Sequence, residues 1–290
     1  MEILKKNYKI DNNAPKEIEW EKYYSESMEE YNILLQTQKE PEKTFQQFFE
    51  KNLAFMPGAL GFEFSSHYPY MDTLISQPEI GIEIKRKPDF LWLAQNSLEF
   101  TPIFIEIESP NKKMFTRSGL PNGEFNQALN QIDEWRGLLN DSDAIRSFYK
   151  GFSIPSELQS KIFKPKFILI YGRRNEYDDN DYLRRIRSQK QRDNVVIMSF
   201  DRLHAMSGYQ QFTCSEVSLG KYKILHIPPT FRYRADRVEI LAKYENFEKA
   251  IDSMEKTSSE RKEFLHKRFS YWIANEKSIM KGMLISGEGE

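Results

Sequence analysis

Four short runs of mostly apolar residues constrain the fold of this chain more than any other feature. Each run spans four to six residues, a length typical of strands buried in a sheet; the runs cover 90–93, 103–108, 166–171 and 194–199. Residues 123–139, between the second and third runs, place apolar side chains at three- and four-residue steps, which is the spacing of a helix face. The pattern predicts an α/β fold with a mixed sheet flanked by helices.

The order of these runs also predicts how the strands connect. Residues 80–85 alternate Ile with small or polar residues, so they are expected to form a half-buried strand ahead of the first two runs. Together the three segments are expected to form an antiparallel meander. The last two runs flank a basic segment, 182–192, and this order of strand, helix and strand predicts a βαβ unit.

Helices are expected at both ends of the chain. Apolar periodicity predicts a long N-terminal helix over 17–39 and a second helix over 44–53. Residues 223–227 are expected to add an edge strand, and 236–282 are mostly helix-forming with a break at 257–259. The expected organisation is an N-terminal helical extension over 1–40, a core domain over 41–215, and a C-terminal edge strand with a helical extension over 216–290.

Composition narrows the class of protein. The 290 residues include 42 Lys and Arg against 43 Asp and Glu, and this balance excludes a chain that is uniformly basic. No apolar stretch approaches the roughly 20 residues that cross a bilayer, and no secretory signal is visible. Cys214 is the only cysteine, which excludes an intramolecular disulfide and a cysteine-rich zinc site. We expect a cytoplasmic protein with no membrane span.

Several common enzyme classes lose their main support because their motifs are missing. The four histidines have no H-E-x-x-H spacing, and the chain contains no G-x-S-x-G elbow, P-loop or G-x-G-x-x-G sequence. The sequence therefore gives no support to a zinc protease, a serine hydrolase, a P-loop NTPase or a dinucleotide-binding enzyme.

Three carboxylates are expected to converge on neighbouring strands. Glu106 and Glu108 lie two residues apart, so they face the same side of one strand, and Asp89 opens the strand before it. Carboxylates this close repel one another unless a cation lies between them, and hard oxygen ligands favour Mg²⁺ or Mn²⁺. Such a metal supports phosphodiester hydrolysis. Gln131 follows on the next helix.

Each of these residues also has an ordinary structural interpretation. Asp89 follows a proline, where turn aspartates are common, and Gln131 fits a helix surface. Glu106 and Glu108 fit the solvent face of an alternating strand, although an unpaired charge in an otherwise apolar strand is costly. The joint spacing of the residues favours the functional interpretation.

The order of these residues resembles the PD-(D/E)xK nuclease superfamily, which has a restriction-endonuclease-like fold. Within it the chain resembles the Shedu anti-phage defence family over about residues 42–205; the matching stretches are 44–53, 88–90, 106–110, 127–135, 165–173 and 199–203. The resemblance implies a nuclease core over 41–215 that acts on DNA with Mg²⁺ or Mn²⁺. It implies that Asp89 and Glu106 are metal ligands, that Glu108 has a role in the site as a further ligand or as a base, that Gln131 supports the site and that Glu50 is an outer member.

One position departs from the superfamily pattern. Glu108 stands where the pattern has a lysine, so the charge at this position is reversed. Lys112 and Lys113 follow closely and are candidates to supply the missing positive charge. The reversal also keeps a second function open, in which a nuclease fold without catalysis binds nucleic acid or acts as an oligomeric scaffold or sensor.

A basic segment is the candidate surface for the nucleic-acid backbone. Residues 161–192 contain ten Lys or Arg against four Asp or Glu, whereas residues 61–111, which hold the three carboxylates, contain three against eight. The proposed contacts are Arg173, Arg174, Arg184, Arg185, Arg187, Lys190 and Arg192. A solvated helix face is the alternative for the helical part. The expected partners are DNA, with RNA not excluded, and further copies of the chain in a homo-oligomer.

Overall fold

The computed structural model describes residues 5–37, 42–60, 67–83, 85–285 and 287–290. In this part of the chain, eight strands form one mixed sheet: β1 Thr73–Ser76, β2 Phe90–Gln95, β3 Glu99–Ile107, β4 Ile162–Phe163, β5 Lys166–Ile170, β6 Val195–Met198, β7 Thr213–Ser218 and β8 Lys221–His226. The strand order is β6-β5-β3-β2-β1-β7-β8, and the short β4 also pairs with β3.

Strand direction brings the loops that follow the parallel strands to one end of the sheet. The five strands β1, β3, β5, β6 and β7 are parallel to one another, whereas β2 and β8 run antiparallel to their neighbours. The last residues of the five parallel strands and the first residues of β2 therefore meet at the same end, which we call the carboxyl end of the sheet. Crevices at the carboxyl ends of parallel strands are common ligand sites in α/β folds.

Helices cover both faces of the sheet. They are α1 Trp20–Gln36, α2 Glu42–Lys51, α3 Gly123–Leu138, α4 Ser142–Gly151, α5 Ser156–Gln159, α6 Asp181–Lys190, α7 Val238–Leu241, α8 Phe247–Asp252 and α9 Ser259–Ile279. Four of them start at a side-chain cap, because Asn122, Asp141, Asn180 and Ser258 accept backbone N–H groups of α3, α4, α6 and α9. No helix among the described residues combines the length and the apolar character needed to span a bilayer.

The alternation of side chains along β3 separates two hydrophobic cores. Phe104 packs into the larger core, which α3, α4 and α9 cover. Its neighbours Ile103 and Ile105 face the opposite core, where the aromatic side chains of α2 pack with Tyr31 of α1. Glu106 therefore projects from the face of β3 that α3 covers. The predicted α/β fold, with a helix-flanked mixed sheet and helical terminal segments, is confirmed.

The first strand of the meander was predicted at the wrong place. Ile80 forms only a single bridge to Arg86, residues 81–83 form no strand, and Ile84 lies outside the described residues. The strand beside β2 is instead β1, whose four residues are all buried and so show no alternation. The rest of the meander and the βαβ unit β5-α6-β6 are confirmed.

The C-terminal part of the chain adds to the same sheet. Lys221–His226 forms the expected edge strand, and α9 begins after the expected break. β7 was not anticipated because its sequence, TCSEVS, has little apolar character. The division into 1–40, 41–215 and 216–290 stays a prediction, and its second boundary falls inside β7.

Side chains and loop backbone occupy both outer edges of the sheet. On β8, the Asn246 side chain donates to Ile224 O at 2.9 Å and accepts from Ile224 N at 2.8 Å. On β6, the Arg187 guanidinium donates to Ile197 O at 2.6 Å, and the backbone of Arg192 pairs with Val195. These contacts satisfy edge groups that another strand would otherwise bind.

Candidate active site

The carboxyl end of the sheet brings the predicted carboxylates together. Phe90 of β2 is opposite Ile105 of β3, so Asp89, one residue earlier, is opposite Glu106. The Asp89 Oδ2 atom accepts the backbone N–H of Ile107 at 2.8 Å, which fixes its carboxylate against β3. Glu108 directly follows β3 and lies at the same end. The two strands thus place all three residues in one cluster.

The cluster is buried, and one of its oxygens has no donor. Asp89, Glu106 and Glu108 are only 8%, 8% and 9% exposed. Gln131 of α3 donates from Nε2 to Glu106 Oε1 at 2.6 Å. The other oxygen, Glu106 Oε2, is buried and makes no hydrogen bond within the described part of the chain. A buried carboxylate oxygen without a donor is costly unless a proton or a cation satisfies it.

Burial and mutual repulsion both disfavour the ionised form of these groups. Burial raises the pKa of Asp89 to about 7, and the charge of Glu42 contributes in the same direction. Burial likewise raises the pKa of Glu106 well above its ordinary value, followed by the charges of Asp89 and Glu108. Strongly shifted carboxylates at the end of two strands are a common sign of a functional site.

Glu42 is a fourth member of this cluster, and the sequence analysis missed it. Partial burial raises the pKa of Glu42, with the charge of Glu108 as the next cause, so Glu42 is close enough to interact electrostatically with the three carboxylates, although its side chain is exposed. We call Glu42, Asp89, Glu106 and Glu108 the carboxylate cluster. The sequence analysis chose Glu50, which lies eight residues further along the same face of α2. Helical spacing alone allows either residue.

Glu50 lies elsewhere at the carboxyl end. Its Oε1 atom accepts the hydroxyl of Ser76, the buried last residue of β1, at 2.6 Å. Glu50 also lines a cleft of about 640 Å³ that extends from β1 to the end of β7. Its suggested role as an outer member of the site stays a prediction.

Lys112 lies against the residue that replaces the superfamily lysine. Its ammonium group forms an ion pair with Glu108 Oε2. Burial lowers the pKa of Lys112, but the hydrogen bond to Glu108 and nearby carboxylate charges raise it overall, so the ammonium stays protonated. Gly172, with φ of +60°, allows this loop to pack closely, since a Cβ there would be 2.8 Å from Lys112 O. Lys113 is exposed and forms no ion pair with a described residue.

Most of the predicted backbone contacts are exposed, and several of them form ion pairs. Arg173 pairs with Asp201, Arg184 with Asp181, and Arg192 with Asp133; Arg174 is 3.9 Å from Asp178. Arg185 is exposed and has no ion pair with a described residue, and Lys190 is half-buried at the end of α6. These positions leave the predicted nucleic-acid contact open.

Arg187 differs from the rest of the basic segment because it packs inward. Its guanidinium lies 5.0 Å from the centre of the Tyr177 ring and donates to Ile197 O. Burial is the first cause of the lowered pKa of Arg187. These contacts give the side chain a structural role between α6 and β6, whatever it contributes to nucleic-acid binding.

The donor set fits a hard divalent cation only in part. Carboxylate oxygens are the ligands that Mg²⁺ and Mn²⁺ prefer, and Glu106 Oε2 is a buried acceptor without a donor. However, the described residues include no group of three or more His, Cys, Asp or Glu side chains arranged to hold a metal ion. Asp89 and Glu106 therefore provide part of a metal site, and the described residues do not assemble a complete set of ligands around them.

Part of the chain matches a known protein family. Residues 39–204 match the family model of the C-terminal region of the Shedu protein SduA. The matched span contains every member of the carboxylate cluster, together with Gln131, Lys112 and the basic segment. No curated protein and no solved structure matches the chain.

Proposed function

Because the chain belongs to the family of the Shedu SduA C-terminal domain, an anti-phage defence nuclease domain, we propose that it is a metal-dependent nuclease that cuts DNA. One observation carries the proposal. Asp89 and Glu106 are buried side by side with raised pKa values, and Glu106 Oε2 lacks a donor. A cation between these carboxylates removes both the repulsion and the unmet hydrogen bond.

Asp89 and Glu106 are the residues that would hold Mg²⁺ or Mn²⁺. When bound, such an ion would lower the pKa of a bound water and neutralise charge on the phosphate. The backbone N–H of Ile107 orients Asp89, and Gln131 orients Glu106 by donating to Oε1, which leaves Oε2 for the metal. Both contacts position a carboxylate without adding charge, as the supporting residues of metal sites do.

Glu108 and Lys112 take the remaining roles in the proposal. Glu108, which directly follows β3, accepts a proton from the attacking water or serves as a further ligand. Lys112 places its ammonium beside Glu108 and returns positive charge to the position where the superfamily has a lysine. Glu42 adds negative charge from α2 and supports cation binding.

Cleavage assays with matched variants test this proposal. The purified protein is incubated with supercoiled, linear and single-stranded DNA, and with RNA, in Mg²⁺, Mn²⁺ or EDTA. We expect metal-dependent cleavage of DNA that falls at least about 100-fold in Asp89→Asn and Glu106→Gln. Glu263→Gln, an exposed residue paired with Lys267 on α9, is the control and leaves the rate unchanged. If no nucleic acid is cut, or if both site variants cut like the wild type, the nuclease proposal is wrong.

A second function has one specific observation in its favour. Glu108 already has a partner in Lys112, and no full set of metal ligands is assembled among the described residues. A protein of this kind binds nucleic acid or acts as an oligomeric scaffold or sensor without cutting. Binding of DNA without cleavage in any metal, together with no change in melting temperature on adding Mn²⁺, is the result that favours this alternative.

A further inference from the structure

A second feature at the carboxyl end is a cleft that the proposed chemistry does not use. The cleft has a volume of about 640 Å³, within the range of pockets that hold ligands. Most of its lining comes from the residues after β1, the end of α4, and the end of β7 with the turn that follows it, and Glu50 of α2 and Leu225 of β8 complete it. Gln77, one of its lining residues, donates its backbone N–H to Asp89 O at 2.8 Å, so the cleft adjoins the carboxylate cluster.

Three lysines from two parts of the chain face this cleft. Lys85, Lys87 and Lys150 are exposed, and none of them forms an ion pair within the described ranges. Of the glutamates in the lining, Glu216 is paired with Lys223 at 2.7 Å, Glu50 accepts the Ser76 hydroxyl, and Glu79 is exposed and forms no ion pair with a described residue. The three lysines therefore leave a positive excess over Glu79, and phosphate groups are the ligands that such lysines bind.

The tip of the β7–β8 turn places an apolar side chain at the rim of the cleft. Leu219 is 94% exposed and has a φ of +51°, followed by Gly220 with a φ of +77°. Turns with two successive positive φ values favour Asn followed by Gly, so leucine is an unfavourable choice for the turn itself. Solvent exposure gives the leucine no compensating burial. An exposed apolar side chain on a tight turn is a shape that proteins insert between base steps of DNA.

We propose that this cleft binds duplex DNA, with Lys85, Lys87 and Lys150 on the phosphates and Leu219 inserted between base pairs. The inference rests on the proposed function only in its choice of DNA as the ligand. Partial unstacking by Leu219 bends the duplex and brings its backbone toward the carboxylate cluster. The cleft thus sets where on the duplex the nuclease acts.

Binding without cleavage tests the lysines. A fluorescently labelled duplex of 30 base pairs is titrated in EDTA and in Ca²⁺, at several salt concentrations. The triple variant Lys85→Ala/Lys87→Ala/Lys150→Ala is expected to bind at least about tenfold more weakly and to reduce the salt slope by about 2 to 3. Lys9→Ala/Lys249→Ala/Lys277→Ala, which replaces three exposed lysines away from the cleft, is the control and binds like the wild type. Equal binding by the cleft variant overturns the proposal.

A base-stacking probe tests Leu219. Duplexes with 2-aminopurine at successive positions report unstacking as a rise in fluorescence. We expect the wild type to raise the fluorescence at one position and Leu219→Asn to abolish that rise. Asn tolerates a positive φ, so the variant keeps the turn and its melting temperature does not fall. A wild type that causes no rise at any position, or a variant that causes the same rise, removes the inserted leucine from the proposal.

These outcomes separate the cleft from the nuclease chemistry. Wild-type protein that cuts DNA while the lysine variant binds normally contradicts the cleft proposal alone. Protein that binds through the cleft lysines but cuts nothing contradicts the nuclease proposal alone. Protein that neither binds nor cuts contradicts both.

Discussion

Burial of charged side chains at the carboxyl end of the sheet is unfavourable for the stability of the fold. Glu106 lies in a strand that is apolar or uncharged from Phe100 to Ile105, with one oxygen bound to Gln131 and the other without a donor. An apolar residue of similar size would pack there at lower cost. The cost is the kind that proteins retain at sites of function, because a ligand offsets it.

Replacing Asp89 is therefore expected to stabilise the metal-free protein. The pKa of Asp89 is raised on folding, so the folded state binds more protons than the unfolded state between about pH 4 and pH 7, and stability falls as the pH rises through this window. In EDTA at pH 8, Asp89→Asn should raise the free energy of unfolding by roughly 1 to 3 kcal/mol, and at pH 4 the gain should disappear. Thermal or urea unfolding measures both values.

Adding metal should reverse the stability difference between Asp89→Asn and the wild type. Mn²⁺ should raise the melting temperature of the wild type at pH 8, because a ligand that binds only the folded state stabilises it, and should leave Asp89→Asn unchanged. An Asp89→Asn protein that is less stable than the wild type at pH 8 in EDTA would show that the carboxylate makes favourable contacts instead.

Glu42 and Glu50 form a matched pair on one face of α2. Glu42 belongs to the carboxylate cluster through its interaction with Glu108, whereas Glu50 accepts a hydrogen bond from Ser76. Glu42→Gln should weaken Mn²⁺ binding by roughly 10- to 100-fold, as supporting residues of metal sites do, and Glu50→Gln should have little effect. Isothermal titration of the two variants measures this, and a larger loss in Glu50→Gln would restore the assignment made from the sequence.

At the scale of elements, α6 shows why a basic helix is not a uniform surface. Arg185 is exposed, whereas Arg187 stacks on Tyr177 and bonds to the edge of β6. Arg187→Ala should lower the free energy of unfolding by about 2 kcal/mol, since it removes a charged hydrogen bond and a ring contact.

Arg185→Ala is the comparison variant, and it should leave the free energy of unfolding unchanged and weaken DNA binding. Denaturation and binding titrations compare the two, and equal stabilities would contradict the structural role of Arg187.

Periodicity predicted the elements that have a regular pattern. The helical steps around Phe125 and Ile132 led to α3, and the apolar run ending in Glu106 led to β3. β1 was missed because both of its faces are buried, so no alternation marks it. Three members of the carboxylate cluster followed from strand spacing, but Glu42 reaches the site through the packing of α2 against the sheet, which local sequence does not encode.

At the scale of the whole molecule, the C-terminal residues connect distant parts of the chain. Glu290 forms a buried ion pair with Arg261 of α9, which also donates to Pro15 O at 2.7 Å. The Glu290 carbonyl accepts the N–H of Asp11 at 3.0 Å. Segments near both ends of the described chain are thus joined around one guanidinium.

Removing that guanidinium should affect the whole protein. Arg261→Ala leaves the buried Glu290 carboxylate without its main partner and should lower the free energy of unfolding by about 3 to 5 kcal/mol. Arg232, 3.6 Å from the same carboxylate but 54% exposed, provides the control, and Arg232→Ala should cost less than about 1 kcal/mol. Chemical denaturation measures both; similar losses would place the main support of Glu290 elsewhere.

The occupied edges of the sheet limit how copies of this protein can associate. Asn246 on β8 and Arg187 on β6 use backbone groups that a strand of another molecule would need for pairing. A homo-oligomer, which stays a prediction, would therefore form through side-chain surfaces of closed, self-contained subunits. Association by strand addition, which has no natural end point and leads to fibres, is thereby disfavoured at both edges.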